Sequence, residues 1–401
     1  MKLSRQDDLP LLFQPYELRG ITARNRIVVS PMCQYCSVDG SPTDWHLVNS
    51  GRYAIGGSGI VFYEETAVEA RGRKSYGCAS IERDDQIPAY ARITRFIREM
   101  GAIPAIQLGH SGAKGSVKGA MDEWTPLTDG DTAGGLAPWQ TVSAVERPFG
   151  DRRPASKAMD ADDIATLVAA FAAAARRSDE AGFDICEIHG AHGYLIHQFL
   201  SPVTNRRSDG YGGDLAGRMR FALEVTEAVR AAWPQHKPLF FRVSARDGRG
   251  GLWDIDDSVA LSAELKRRGV DVVDCSSGGI VGSSPMPLVA RTPGYQVEFA
   301  ARIRREIGMQ TMAVGLITDA AHAERILRDG EADLIALARE LMLNADWPVL
   351  AARAMGVEGA YDLLPPAFAH RLKRRDEVGK LPFNQIGAAD VGKIDALVES
   401  T

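Results

Sequence analysis

The sequence FDICEIHGAHGY, at residues 183–194, joins a short apolar run to two histidines and a tyrosine. Residues 183–188 are predicted to form a buried strand, and His189, His192 and Tyr194 follow at its carboxyl end. Paired imidazoles can donate hydrogen bonds to an oxygen that carries developing negative charge, and a nearby phenol can supply a proton. The stretch therefore predicts a site that polarises a carbonyl group and protonates a neighbouring carbon. The alternative is that these three polar side chains only make hydrogen bonds within a loop. We favour the functional interpretation because the three occur together at a strand end.

Seven further apolar runs occur along the chain, and most are followed by a loop and then by a helical pattern. The runs are continuous rather than alternating, which is typical of strands buried on both faces of a parallel sheet. Eight such units in 401 residues predict a (β/α)8 TIM barrel, although the pattern alone leaves an open, doubly wound sheet as an alternative. The seven runs are Arg26–Ser30, Gly59–Tyr63, Ile103–Gln107, Leu239–Val243, Val270–Asp274, Thr311–Val314 and Ala332–Leu337.

The clearest predicted helix lies between the third and fourth runs. Asp160 is a candidate N-cap, Ile164 and Leu167 begin an apolar stripe at helical spacing, and Gly182 can end the helix. The same signals predict helices over residues 84–100, 214–232, 256–268, 296–307 and 319–328.

Residues 111–159 are rich in glycine, proline, aspartate and threonine and show no persistent period. A connection of this length in a compact domain is usually functional, and in a barrel it would lie over the carboxyl ends of the strands. We therefore expect a single barrel domain over residues 1–375, capped by this segment. A weakly patterned C-terminal tail is expected over residues 376–401.

Composition argues against several classes of protein. The formal net charge of −5 disfavours a general affinity for nucleic acid, and no apolar run approaches the ~18 residues of a membrane span. The first eight residues turn acidic where a signal peptide would be apolar, so a cytoplasmic protein is expected. The five cysteines, including Cys33 and Cys36, predict neither a disulfide framework nor a metal site, because no second pair lies at zinc spacing.

Polar or small residues also follow the other runs, as the functional end of a barrel requires. Gly315 follows the seventh run, and Ala338 and Arg339 follow the eighth, which predicts a phosphate pocket. Arg242 offers a fixed cation to an electron-rich ring, and Gln107 offers a donor and an acceptor to atoms at the ring edge. These residues together predict flavin mononucleotide (FMN). A Rossmann domain is disfavoured because no GxGxxG opens a strand–helix unit.

Six motifs make the chain resemble an old yellow enzyme, of the bacterial branch with an active-site cysteine, over roughly residues 10–375. The motifs are SPMCQY at 30–35, TDWHL at 43–47, QLGHSGAK at 107–114, HGAHGYLIHQFLSPVTNRRSDGYGG at 189–213, TPGYQ at 292–296 and ADLIALAREL at 332–341. The resemblance implies a (β/α)8 flavoprotein that uses NADPH or NADH to reduce activated carbon–carbon double bonds by ping-pong hydride transfer.

The resemblance also implies roles for individual residues. His189 and His192 would hold the carbonyl or nitro oxygen of the substrate, and Tyr194 would donate the proton. Tyr35 would be a further substrate contact, and Cys33 would tune the flavin. The residues that the resemblance implies for FMN binding are Ser30, Pro31, Met32, Cys33, Gln107, Arg242, Gly315, Ala338 and Arg339.

Three positions depart from the family pattern. Glu65 stands near the expected flavin where alanine is common, and a carboxylate there would disfavour a reduced, anionic ring unless only the Glu65 backbone contacts the cofactor. Ala338 stands where glycine is usual, which crowds the phosphate turn slightly. Arg371 replaces an aromatic residue in a C-terminal segment that reaches an active site in some members, so we expect it to favour an anionic substrate.

Other functions remain open at this point. Oxidative N-demethylation can use the same flavin site, whereas dienoyl-CoA reduction usually needs more cysteines and a longer chain. A flavin-binding sensor without turnover is a non-enzymatic alternative, which the intact histidine pair and tyrosine disfavour. Lys114 could serve as the Schiff-base lysine of a barrel aldolase, but it lies in a glycine-rich loop. We also expect a homo-oligomer, a dimer or tetramer, in which subunits complete one another's pockets.

Overall fold

Eight parallel strands form a closed barrel in the computed structural model, which describes residues 9–148, 153–248, 252–280 and 290–379. Each strand pairs with its neighbours in chain order, and the last strand returns to pair with the first. Closure confirms the predicted (β/α)8 barrel and excludes the open sheet. The strands are β1 (Ile27–Val29), β2 (Ile60–Ala67), β3 (Ile103–Gly109), β4 (Ile185–Gly190), β5 (Leu239–Ser244), β6 (Val272–Ser276), β7 (Gln310–Val314) and β8 (Leu334–Leu337).

Helices lie between the strands, and each predicted helix is present with its ends shifted by only a few residues. The carboxylates of Asp160, Asp214, Asp254 and Asp319 accept hydrogen bonds from backbone N–H groups and cap four of them. The helices are α1 (Asp44–Ile55), α2 (Ile87–Glu99), α3 (Ala161–Glu180), α4 (Leu195–Leu200), α5 (Leu215–Ala232), α6 (Ile255–Arg267), α7 (Val297–Ile307), α8 (Ala320–Arg328), α9 (Arg339–Leu343), α10 (Trp347–Ala354) and α11 (Pro366–Gly379). No helix in the described ranges is both long enough and apolar enough to cross a bilayer.

The barrel interior is apolar toward the amino ends of the strands. Phe62 and Phe240 pack there with ring centroids 6.0 Å apart. Successive strand residues face opposite sides of the sheet. The residues two and four positions after these apolar residues therefore point into the same interior, nearer the carboxyl ends of the strands. The apolar interior comprises Val28, Ile60, Phe62, Ala105, Ile185, Phe240, Val272, Met312, Val314, Leu334 and Ala336, with Leu18 and Ala23 of an N-terminal hairpin beside it.

The described residues of the predicted capping segment, 111–148 and 153–159, pack against the helix that follows β4. The segment contains short 3₁₀ turns and a small three-stranded sheet. Arg207, outside the segment, holds it by donating to the main-chain oxygen of Met159 over 2.7 Å, and within the segment Arg153 donates to the main-chain oxygen of Lys114 over the same distance. The segment therefore covers one edge of the barrel mouth.

The turn Ala360–Leu363 and helix α11 lie toward the opposite end of the barrel. Arg24, which precedes β1, donates to the main-chain oxygens of Met100 and Leu363. The 3₁₀ turn Ala360–Leu363 also packs against α10 and α11. Helix α11 continues through position 376 to Gly379, so its last turn includes the start of the expected tail, and residues 380–401 lie outside the described chain.

Replacing Phe240 with alanine tests the packing of the barrel interior. Phe240 is fully buried, and a large-to-small change of this kind costs about 3–5 kcal/mol of unfolding free energy. Urea denaturation followed by circular dichroism measures the loss. Met121→Ala, which truncates a side chain that is 91% exposed, should change stability by only about 0.5 kcal/mol. Equal losses in the two variants would contradict the assigned interior.

Candidate functional site

Strand register brings the functional residues together in two adjacent rows inside the barrel mouth. In-register neighbours on parallel strands point to the same face of the sheet, so members of one row lie side by side. The first row spans β2, β3 and β4, and the second spans β4, β5 and β6. The first row consists of Glu65, Gln107 and Glu187, and the second of His189, Arg242 and Asp274.

Gln107 is held by a neighbour that the sequence analysis missed. Its amide Nε2 donates to Oε1 of Glu187 over 2.7 Å, and both residues are buried. Burial, reinforced by the Asp274 carboxyl group, raises the pKa of Glu187 well above its usual range, so this side chain is a neutral acid. Its Oε2 has no hydrogen-bond partner among the described residues. A glutamate inside an otherwise apolar strand was the signal in the sequence.

Arg242 is fixed by a buried acid and a hydroxyl group. Its Nε lies 3.0 Å from Oδ2 of Asp274, and its Nη1 lies 3.3 Å from the Ser30 hydroxyl oxygen. Burial raises the pKa of Asp274, whereas the nearby guanidinium acts in the opposite direction. The sequence analysis counted Asp274 only as the end of a strand. In the structure, Asp274 positions Arg242, the one cation of this row.

His189 and His192 lie next to each other and next to Tyr194. The centroid of the His189 ring is 5.1 Å from that of His192 and 5.0 Å from that of Tyr194. Burial first, and the Arg242 charge second, lower the pKa of both histidines well below the usual value, so both imidazoles are neutral at physiological pH. Nε2 of His192 lies 2.7 Å from the Ser276 hydroxyl oxygen. Nδ1 of His189 is buried and has no partner in the described part of the chain.

A close backbone approach sets the position of this pair. His192 has a left-handed φ of 58°, and Gly193 follows with φ 70°. A Cβ atom on Gly193 would lie 1.9 Å from the main-chain oxygen of Gly279, and one on Gly279 would lie 2.6 Å from the His192 backbone. Only glycine fits at these two positions.

Tyr194 is half-buried and lies beside a lysine from the capping segment. Burial raises the pKa of the Tyr194 phenol well above its usual range, so the phenol keeps its proton. Nζ of Lys114 lies 5.5 Å from the Tyr194 ring centroid and donates to the main-chain oxygens of His192 and Gly279. Burial lowers the pKa of Lys114 to about 7. Lys114 lies in a loop, as predicted, but its side chain is a buried part of the site.

The loop after β1 forms another wall of the mouth. The Ser30 backbone N–H donates to the Leu337 oxygen, and Pro31 follows Ser30. Met32 is partly buried against the larger apolar cluster outside the barrel interior. Burial and the carboxyl groups of Glu64 and Glu65 raise the pKa of Cys33 well above its usual value, so its sulfur is a thiol.

The aromatic rings of Tyr35 and Trp124 meet at the edge of the mouth. Their ring centroids lie 4.9 Å apart in an edge-to-face arrangement, and Tyr35 has a left-handed φ of 58°. Trp124 belongs to the capping segment, and the sequence analysis did not single it out. Tyr35 is therefore placed at the junction between the first loop and the cap.

Glu65 enters the mouth because of a β-bulge in β2. The pairing with β3 shifts between Phe62 and Glu65, which puts Glu65 in phase with Gln107. Burial raises the pKa of Glu65 to about 8, and the Glu64 carboxyl adds to the effect. At neutral pH the side chain is therefore mostly a neutral acid, so it does not oppose a reduced, anionic flavin ring as a carboxylate would.

The expected phosphate residues lie at the ends of neighbouring strands. Gly315 follows β7 with φ 127°, and its ideal Cβ would lie 3.0 Å from the Tyr295 ring. Ala338 and Arg339 follow β8, which pairs with β7. Ala338 is half-buried and Arg339 is exposed.

Arg371 is not brought to this cluster. It is exposed on α11, which packs at the amino-terminal end of the barrel. In this arrangement, contact between Arg371 and a substrate in the site would require a neighbouring copy of the chain.

The mouth of this parallel barrel combines a buried arginine, an oriented amide, two neutral imidazoles and a protonated phenol. This combination defines a cofactor-dependent barrel enzyme. The chain belongs to the NADH:flavin oxidoreductase / NADH oxidase family, whose model matches residues 11–356. This membership confirms the resemblance to old yellow enzyme. The protein is an FMN-dependent NAD(P)H oxidoreductase.

Two relatives and two solved structures illustrate the similarity. The NADPH dehydrogenase of Geobacillus sp. (strain WCH70) is 44% identical over 349 residues, which cover 86% of this chain and 95% of the relative. The NADPH dehydrogenase of Geobacillus thermodenitrificans (strain NG80-2) is 43% identical over 350 residues, with 87% and 95% coverage. Morphinone reductase in complex with tetrahydroNAD superposes with a TM-score of 0.71 at 24% identity, covering 90% of this chain and 94% of that chain. The old yellow enzyme homologue from Zymomonas mobilis gives 0.70 at 23% identity, with 90% and 99% coverage, and both structures support the fold.

The residues at the mouth fit FMN. Buried Gln107 and Arg242 present hydrogen-bond donors and a positive charge to one end of a ring, as the polar edge of a flavin requires. The unpartnered Nδ1 of His189 and Oε1 of Glu65 are buried polar atoms at the same mouth. Unpaired buried polar atoms are costly, so a polar ligand there would relieve part of that cost.

Replacing Glu65 with glutamine should stabilise the protein increasingly as pH rises. Between the ordinary pKa of 4.5 and the folded value of about 8, the folded protein retains a proton that the unfolded chain has released. Wild-type stability therefore falls across this window by a few kcal/mol, because one pKa unit corresponds to about 1.4 kcal/mol. The glutamine variant lacks this loss.

Scanning calorimetry of the FMN-loaded proteins at pH 5, 6.5 and 8 measures this effect. The Tm difference between Glu65→Gln and the wild type should grow with pH. Glu358→Gln, which changes an exposed carboxyl, is the matched control and should show no such trend. A Tm difference for Glu65→Gln that is constant across pH would contradict the assignment.

Proposed function

We propose that the protein is an ene-reductase that uses NADPH or NADH to reduce activated carbon–carbon double bonds in α,β-unsaturated carbonyl or nitro compounds. The observation that carries this proposal is the placement of the neutral His192 imidazole and the protonated Tyr194 phenol at 5.1 and 5.0 Å from the buried, neutral His189 ring. Bound FMN supplies the ring that accepts hydride from the nicotinamide and delivers it to the β-carbon of the alkene.

The cofactor is held, in this proposal, by residues from six strands or the loops that follow them. Glu187 binds the amide nitrogen of Gln107, which leaves the amide oxygen to accept a hydrogen bond from the ring edge. The Asp274 carboxyl fixes Arg242, whose guanidinium stabilises negative charge on a reduced ring. The proposed FMN-binding set is Ser30, Pro31, Met32, Cys33, Glu65 through its backbone, Gln107, Arg242, Gly315, Ala338 and Arg339.

The histidine pair would hold the substrate oxygen. A neutral imidazole carries one N–H, so His189 and His192 can offer two donors to one carbonyl or nitro oxygen. Negative charge develops on that oxygen during hydride transfer, and donors fixed in a water-poor site stabilise it most in the transition state. Tyr35 would contact the remainder of the substrate from the edge of the cap.

Tyr194 would complete the reaction by protonating the α-carbon. Its raised pKa keeps the phenolic proton in place until a carbanion-like centre develops beside it. Lys114 lies 5.5 Å from the ring centroid and ties the two adjacent backbone segments together, which fixes the position of the phenol. Because nicotinamide and alkene would use one mouth in turn, ping-pong kinetics follow.

An anaerobic titration tests the proposal. The purified yellow protein should bleach with NADPH and recover its colour when 2-cyclohexenone is added. Bleaching without recovery would contradict ene-reduction and favour oxidative N-demethylation instead. A protein that stays colourless after incubation with FMN would overturn the cofactor assignment as well.

Tyr194→Phe should slow the recovery of colour far more than the bleaching. The variant keeps the ring but lacks the phenolic proton, and loss of a general acid typically costs about 10²–10⁴-fold in rate. Anaerobic stopped-flow absorbance separates the two half-reactions. Tyr211→Phe removes a hydroxyl that binds Glu224 outside the site and is the matched control. Recovery at the wild-type rate in Tyr194→Phe would remove Tyr194 from the proposed mechanism.

The expected homo-oligomer remains a prediction. Light scattering on the FMN-loaded protein determines its mass and so distinguishes a dimer or tetramer from a monomer.

A further inference from the structure

Three basic side chains converge on the mouth of the site from separate segments. Lys74 follows β2, and Lys114 and Arg153 belong to the capping segment. Nζ of Lys74 lies 3.1 Å from the ring centroid of Trp124, and the Trp124 ring also contacts Tyr35. Arg153 donates through Nη1 to the main-chain oxygen of Lys114 over 2.7 Å. The three cations therefore frame the space above Tyr194 and Tyr35.

The three cations act on one another's pKa values, which places them within electrostatic range of each other. Burial lowers the pKa of Lys74 to about 8 and that of Lys114 to about 7. The Arg153 charge contributes to both shifts, and the Lys74 charge contributes to that of Lys114. Like charges in a partly desolvated space repel each other, so an anion near Lys74 and Arg153 would be favourable.

No carboxylate in the described part of the chain forms an ion pair with Lys74 or Arg153. After the Cys33 and Cys78 thiols, the acid that acts on Lys74 is the carboxyl of Glu65, whose own pKa of about 8 leaves it mostly uncharged at neutral pH. The nearby His189 and His192 are neutral as well. Lys74 and Arg153 are therefore two cations at the mouth with which no described carboxylate forms an ion pair.

We propose that the alkene substrate carries an anionic group, a carboxylate, in addition to its activating carbonyl or nitro group, and that Lys74 is the residue that recognises it. Arg153 adds to the favourable field. This inference rests on the ene-reductase function proposed above and names its substrate class. It assigns anion recognition to Lys74 rather than to Arg371, which lies at the other end of the barrel.

The position of Lys74 favours the alkene over the phosphates of the nicotinamide cofactor as the source of the anion. Lys74 packs on Trp124 beside Tyr35, and it lies within electrostatic range of the Cys33 and Cys78 thiols. These groups surround the ring end of the site. The phosphates of a dinucleotide are many bonds away from its nicotinamide ring and would lie further out.

Lys74→Met isolates the charge, because methionine keeps an unbranched apolar stem against Trp124. Lys118→Met is the matched control, since it removes the same charge from an exposed position on the cap. Isothermal titration calorimetry with the FMN-loaded proteins compares 4-oxocyclohexane-1-carboxylate with its methyl ester. These ketones lack the reacting double bond, so the measurement reports binding alone.

The wild type and Lys118→Met should bind the acid at least tenfold more tightly than the ester, and Lys74→Met should lose this preference. A preference that survives in Lys74→Met, or is absent from the wild type, overturns the proposal. Stopped-flow reduction by NADPH gives a second arm. If Lys74→Met slows this step tenfold while the acid-to-ester ratio is retained, the lysine serves the dinucleotide phosphates and the proposal is overturned.

Turnover separates this inference from the function on which it rests. Photoreduced enzyme is mixed with 4-oxocyclohex-2-ene-1-carboxylate, with its methyl ester and with 2-cyclohexenone. Faster recovery of colour with the acid than with the ester, lost in Lys74→Met, supports the proposal. If none of the three alkenes restores the colour, ene-reduction fails, and Lys74-dependent binding of the saturated acid would still establish the carboxylate site.

Discussion

The pairing register of β4, β5 and β6 is the constraint on which the rest of the site depends. Backbone hydrogen bonds between these strands put His189, Arg242 and Asp274 side by side, and barrel closure prevents any strand from slipping. A shift of one residue would turn all three side chains out of the mouth. The position of the cation and the polarity of the site therefore follow from main-chain geometry before any side-chain contact is considered.

Burial governs the charge state of the groups that this register brings together. Desolvation keeps the histidine pair uncharged and keeps Glu65 and Glu187 largely protonated, while Arg242 retains Asp274 as its counterion. The site consequently has many hydrogen-bond donors but few full charges near the proposed ring. Donors without charge suit a reaction in which charge appears transiently and must then leave with the product.

The sequence predicted the architecture well because each strand and most helices carry local signals: continuous apolar runs, aspartate caps and a glycine-rich connection of unusual length. It predicted the histidines and Tyr194 because they follow a run directly. It missed Glu187, Asp274 and Lys74, since their importance comes from cross-strand register and from the folding of the cap, which no local pattern encodes. The bulge that re-aims Glu65 is equally invisible, because one inserted residue leaves the apolar pattern intact.

The anchoring of the capping segment has a consequence for how this family can diversify. Arg207 and Trp139 tie the segment to the barrel by donating to the main-chain oxygens of Met159 and Arg71. Every amino acid supplies such an oxygen. Residues of the capping segment between these hydrogen-bonded positions can therefore be substituted while the segment stays attached to the barrel. Evolutionary change of the capping segment, or its replacement by a segment from another protein, could therefore alter which substrates enter the site. The residues of the barrel mouth would remain unchanged.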